Sequence, residues 1–190
     1  MKWILNAYHN NEDYKQYTDD VVLYDKKDLN VGLNMHDYMS YIVDNYNNLP
    51  DVMLFGKTNM FSRHITKEEF EKVKDNKTFT PLLTQNHRTY SDNDGVVCYY
   101  ENGLYWERND LWFLREHPTK NNVTRNELIE LLNLKGKYNG FAPGACYIVP
   151  KENILKHNKE IYEKLRDYVS WTQLPGEAYL IERGLFNFWK

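Results

Sequence analysis

VVLYDKKDLNVGLNMHDYMSYIVDNYNNLPDVMLFGKTN, residues 21–59, decides how the rest of the chain is read. An apolar run at 21–24 ends in Asp25. Asn34 suits a helix N-cap, and Asp37 three residues on can complete a capping-box-like exchange. Met35, Met39, Ile42, Tyr46 and Leu49 then recur at spacings of four and three, which is one face of a helix. Pro50 ends it, because proline disfavours helix in the residue before it and has no N–H to donate. Residues 52–55 are wholly apolar, as in a strand buried on both faces of a parallel sheet. The spacing is that of a βαβ unit. Its polar strand ends, 25–28 and 56–59, fall where an open α/β sheet binds ligands.

Upstream, residues 2–7 read as a short strand that breaks into a polar segment, with a helical piece at 14–18. Neither GxGxxG nor GxxxxGK[ST] occurs, so a dinucleotide fingerprint and a P-loop have no support. Downstream, Thr66 and Glu69 form a capping box for a helix over 66–73, and residues 79–83 read as irregular or an edge strand. Asn102-Gly103 between two β-rich aromatic runs predicts a hairpin over 96–107. Thr124 is expected to cap a helix over 125–134. A Gly/Pro loop at 138–145 leads into a strand at 146–149, followed by a long helix over 151–171 and a last one over 177–189. The expected fold is α/β, one domain over 1–190, with a mixed, mostly parallel, Rossmann-like sheet flanked by helices.

At 190 residues the chain is long enough for one well-buried core. A net charge of −3 gives no field to recruit nucleic acid or anionic membrane. Sixteen tyrosines would suit a sugar site, and an AT-rich genome enriches Tyr, Asn and Lys equally. Cys98 and Cys146 sit in apolar surroundings, which fits reduced core residues in a cytoplasmic chain. The opening MKWILNAYHNNEDY does not fit a signal peptide, and no apolar run approaches the ~20 residues of a membrane span. The six histidines form no HxH or HxxxH pair, so zinc is not expected.

In the last helix Ala178, Ile181, Leu185 and Phe188 form the apolar stripe, and Glu182 falls on it. A carboxylate facing a core needs a partner, for which Arg183 is a candidate. Glu177 stands in the first turn, where an anion is favoured and where glutamate is also ordinary. Asp92 and Asp94 have the DxD spacing of a cation chelate and equally the composition of a turn. Lys57, ending the buried strand, can meet a phosphate as a point charge or lie in a surface turn.

Six blocks carry a resemblance: Asn6-Ala7-Tyr8-His9-Asn10; Tyr24-Asp25-Lys26; 30–34 with His36-Asp37-Tyr38; 41–46 with Leu49-Pro50-Asp51; 141–145; and Pro175-Gly176-Glu177 with Ile181-Glu182-Arg183. Together they resemble a small family of GT-A-fold, glycosyltransferase-like proteins, long described only as a domain of unknown function, with relatives among the glycosyltransferases of large DNA viruses of algae. The resemblance implies transfer of a sugar from a nucleotide donor, UDP-sugar above all, to a glycan or glycoprotein acceptor, in the host cytoplasm if the chain is viral. It implies Tyr8, Asn10 and Asp25 at the base, Asn30 and Asn34 beneath ribose and diphosphate, and Glu177 as general base, with Arg183 downstream. Glu182 would anchor the helix or bind the sugar. It also implies a divalent cation, Mn²⁺ or Mg²⁺, at the strand end that here reads Gly56-Lys57-Thr58-Asn59. Asn59 would then share the ion with Asp92 and Asp94, or Lys57 would replace part of its charge. Two other readings stand beside it: a metal-dependent hydrolase using Asp92, Asp94 and Asp110, and a non-catalytic nucleotide- or sugar-binding domain.

Overall fold

A computed structural model describes residues 1–9, 11–25, 30–84, 90–92 and 95–190; for 90–92, 95 and 96 only the backbone is described. The first half of the chain contains β1 (Lys2–Asn6), β2 (Val21–Tyr24), α1 (Leu33–Asn45), β3 (Val52–Lys57), α2 (Met60–Arg63), α3 (Lys67–Glu71) and β4 (Thr80–Pro81). Then come β5 (Tyr90–Asp92), β6 (Gly95–Glu101), β7 (Leu104–Arg108), α4 (Phe113–Glu116), α5 (Asn122–Leu131) and β8 (Tyr138–Phe141). The chain closes with β9 (Tyr147–Pro150), α6 (Lys151–Ile154), α7 (Lys159–Val169) and α8 (Gly176–Trp189). The architecture is α/β, as expected: one five-stranded mixed sheet in the order β2-β1-β3-β9-β4, and a smaller antiparallel sheet in the order β5-β6-β7-β8.

The expected βαβ unit is present. β1 pairs in parallel with β2 on one side and β3 on the other, while β3–β9 and β9–β4 are antiparallel. Met53, Leu54 and Phe55 are all fully buried, because helices cover both faces of this strand. Strand alternation divides the core in two. Ile4, Met53, Phe55, Tyr147 and Val149 face α1, α7 and α8. Trp3, Leu5, Leu54, Cys146 and Ile148 face the other way, onto Tyr14, Met60 and Phe70. Cys98 and Cys146 are both buried thiols outside any disulfide. Among the described residues no helix is long and apolar enough to cross a membrane.

Local signals fare unequally. Thr66 caps α3 by accepting from the Glu69 N–H at 3.2 Å, and Asn102 and Gly103 turn the β6–β7 hairpin with φ of 53° and 74°. Three helix ends differ from expectation. Helix α1 starts at Leu33 (φ 53°) after the left-handed N-cap Gly32 (φ 64°), so Asn34 lies inside its first turn and Asp37 beyond it, both buried, and neither caps it. The cap of α5 is Asn121, whose Oδ1 accepts from the Thr124 N–H at 2.8 Å. The helix expected over 151–171 is broken into α6 and α7, because Asn158 caps the second by accepting from the Ile161 N–H at 3.2 Å.

Helix α8 packs against α5 at Gly184, where a Cβ would stand 2.5 Å from the Leu132 Cβ. In an ordinary helix interior Gly→Ala gains about 1 kcal/mol. Here Gly184→Ala is expected instead to cost about 1–3 kcal/mol, as overpacking does. A lowered urea midpoint checks this; a raised one would rule out such close packing.

Candidate functional site

A cavity of about 380 Å³ opens beyond the carboxyl ends of β1 and β3. Asn6, Tyr8 and His9 reach it from β1, and Lys57 from β3, level with Asn6 in the parallel register. Asn30, Leu33 and Asn34 enter from the start of α1, and Arg63 and His64 from the end of α2. Pro143, Gly144 and, from α8, Ala178, Tyr179 and Glu182 complete the lining. A more open groove of about 600 Å³ lies between α5 and α7, but its Glu127 and Lys164 neutralise each other at 3.0 Å. The first cavity has the convergent charged groups a ligand site needs.

The wall is organised on Gly144, in the segment that carries the chain from β8 in one sheet to β9 in the other. Its N–H donates to Glu182 Oε1 at 2.6 Å, and its carbonyl accepts from Asn34 Nδ2 at 2.8 Å. Its φ is 78°, and a Cβ would lie 2.4 Å from His64 Nε2, so the histidine ring packs on the bare Cα. Behind it, Arg183 approaches Glu182 Oε2 at 3.5 Å and donates from Nε to Glu107 Oε2 at 2.6 Å. The guanidinium is only 6% exposed and lies over the Phe113 and Phe141 rings at 4.3 and 5.0 Å. Glu182 is thus fixed from two sides while 19% of its side chain stays open.

Of the residues expected at the site, the cavity gathers Tyr8, Asn30, Asn34, Lys57 and Glu182. Tyr8 is 53% exposed at its mouth, so its ring face is available to a planar ligand. Asp25 is exposed at the end of the neighbouring edge strand and is not part of the lining, because the cavity is centred over β1 and β3. Asn59 is buried below the rim and likewise does not line it. Asn10 and Asp94 lie outside the described residues, as does the side chain of Asp92.

Two expectations are corrected. Glu177 was expected at the acceptor as a general base, yet it is 0% exposed, absent from the lining, and accepts from the Lys120 N–H at 2.6 Å. It ties the 117–120 segment to the start of α8, the positive end that favours a carboxylate. Arg183 points away from the cavity into its aromatic and Glu107 setting, so it supports Glu182 rather than touching a ligand. The carboxylate that faces the cavity is Glu182, one helical turn further along.

A divalent cation takes six or more oxygen ligands, usually with several carboxylates. The strand end presents a cation, Lys57, then Thr58, whose hydroxyl donates to the His9 carbonyl, and buried Asn59. Glu182 is the one carboxylate in the lining among the described residues, and it is already held by Gly144 and Arg183. No cluster of three or more His, Cys, Asp or Glu side chains occurs among them. The described donors by themselves do not fit a resident divalent cation; the side chains of Asp92 and Asp94, the acids expected there, lie outside the described residues.

Arg63, His64, His9 and Tyr179 were not singled out in the sequence. They come from turns and a helix face with no motif, and only the fold turns them toward one space. Below the cavity, burial pushes the Cys146 thiol up to about 12, with Lys57 pulling it down and Glu182 pushing it further up. The charges on both walls therefore reach the same buried sulfur.

Gly144→Ala is expected to destabilise the chain by at least the about 1–2 kcal/mol that a left-handed conformation costs an L-residue, with displacement of His64 in addition. Chemical denaturation measures the loss; an unchanged midpoint would contradict the packing of His64 on Gly144.

No curated protein and no solved structure matches the chain significantly. A family model does, over residues 1–189, which is nearly every residue of the fold and every described wall of the cavity. The chain therefore belongs to the family described as "Protein of unknown function (DUF3431)".

Proposed function

We propose that the protein is a glycosyltransferase that moves a sugar from a nucleotide donor, a UDP-sugar, to a hydroxyl of a glycan or glycoprotein acceptor. The observation that carries this reading is the convergence, in the lining of one cavity, of the fixed carboxylate Glu182 and the cations Lys57 and Arg63. A net-negative chain that gathers cations at a concave site is arranged for an anionic ligand. The exposed Tyr8 ring offers a stacking face for the base, and the amides of Asn30 and Asn34 line the space between base and phosphates. Two buried cysteines outside any disulfide suit a reducing compartment, where a cytoplasmic enzyme works.

In the proposed reaction the acceptor hydroxyl oxygen attacks the anomeric carbon. Glu182 takes the hydroxyl proton, the bond from the anomeric carbon to the phosphate oxygen breaks, and the nucleoside diphosphate leaves with the electron pair. Lys57 and Arg63 face the charge that develops on the leaving oxygens, and Asn34 and Arg183 keep the Gly144–Glu182 wall in place. Positioning and electrostatics supply most of the acceleration in such a site.

Of the three carboxylates of the hydrolase reading, Asp110 is the one whose side chain is described, and it does not support that reading. Asp110 is exposed outside the cavity, and its Oδ1 accepts from the Trp112 N–H at 3.0 Å.

Uridine diphosphate is expected to raise the melting temperature, by about 2.7 kcal/mol of added stability at a hundredfold excess over its dissociation constant. Glu182→Gln should keep that shift while slowing sugar release from a UDP-sugar panel by about 10²–10⁴-fold, the usual worth of a positioned base. Full activity in this variant would reduce the chain to another mechanism, and binding with no turnover in the parent would favour a non-catalytic module.

A further inference from the structure

We propose that the cavity holds the diphosphate of its ligand without a metal ion, Lys57 and Arg63 together supplying the positive charge. The inference rests on the glycosyltransferase reading and specifies how its donor is recognised. Lys57 is placed by the sheet. It ends the buried strand β3, beside Asn6, so its ammonium stem leaves the carboxyl edge in a fixed register. Arg63 ends α2 on the same side and is exposed. Both line the cavity. Among the described residues neither has an ion-pair partner, whereas Glu182 is matched by Arg183 at 3.5 Å. The lining therefore carries two uncompensated positive charges over one compensated negative charge.

The two cations differ in a useful way. An ammonium is a compact point charge, and a guanidinium offers a planar fork that bonds two phosphate oxygens at once. One of each suits two linked phosphate groups better than one. The ranking expected from charge is UDP tighter than UMP, and UMP tighter than uridine. Among the described residues the oxygen donors that a divalent cation needs are not assembled at this strand end, whereas two cationic side chains are there to meet the charge on the diphosphate. Binding should weaken as salt rises, because the contacts are ionic.

Calorimetric titration of the full chain with UDP, UMP and uridine tests this, first with EDTA and then with added Mn²⁺. Expected are UDP affinities within about twofold of one another in the two conditions, since no metal contact is gained or lost. Lys57→Gln and Arg63→Gln should each weaken UDP by tenfold or more, and flatten the preference for UDP over UMP. Arg63 is exposed, so its variant keeps the fold even if the Lys57 variant does not; circular dichroism verifies both. UDP binding only when Mn²⁺ is present overturns the metal-free site and leaves the glycosyltransferase reading standing. Unchanged UDP affinity in both variants also overturns it. Absence of UDP binding in either condition overturns the underlying reading as well.

Discussion

Gly144 is the point at which the parts of this molecule are tied. Its N–H is taken by Glu182 of α8 and its carbonyl by Asn34 of α1, while the His64 ring lies on its Cα. The segment around it is also the bridge between the two sheets, from β8 into β9. A side chain here would push His64 away and disfavour the left-handed backbone. With only hydrogen in that place, two helices come within hydrogen-bonding distance of one residue and the His64 ring packs on it. The cavity is the space left on the other side of this junction.

Burial of polar groups follows from the same arrangement. Asn6, Asn34, Asp37, Glu177 and Arg183 are all nearly inaccessible, which would be costly without partners. Asn6 donates to Asp37 Oδ2 at 2.6 Å, joining the end of β1 to α1. Arg183 joins α8 to the second sheet through Glu107, and Glu177 joins it to the 117–120 segment. Each buried polar contact is thus a cross-link between elements distant in sequence. Together they fix the elements that bring Glu182 and Lys57 to one cavity, and the proposed chemistry requires that placement to be rigid.

Much of the fold was legible because its signals are local. The βαβ unit shows in the four-and-three spacing from Met35 to Leu49 and in the apolar run that becomes β3. The hairpin shows in Asn102-Gly103, and the α3 cap in Thr66 and Glu69. Caps misled where the buried face competes with the helix end. Asn34 has the right chemistry for an N-cap, but the left-handed turn at Gly32 and Leu33 starts the helix earlier and gives Asn34 to Gly144. The site was half legible. Tyr8, Asn30, Asn34 and Lys57 follow from strand ends and the helix start. Glu177 and Glu182 lie five residues apart on one helix, and the sequence favoured Glu177, which is buried, where Glu182 is the one that lines the cavity.

By itself the sequence determined the α/β class and the parallel βαβ unit over 21–59, and it pointed to the strand ends where the cavity opens. Those depend on periodicity and turn chemistry, which are read within a few residues. Only the tertiary structure decided which carboxylate lines that cavity, that Arg63 and His64 join it, and that the charge there is positive. These depend on how α8 and the β8–β9 bridge are rotated against α1. That rotation is set by contacts between residues more than a hundred positions apart, such as Asn34 with Gly144. No local pattern encodes such a contact, because its energy exists only once both partners are buried together.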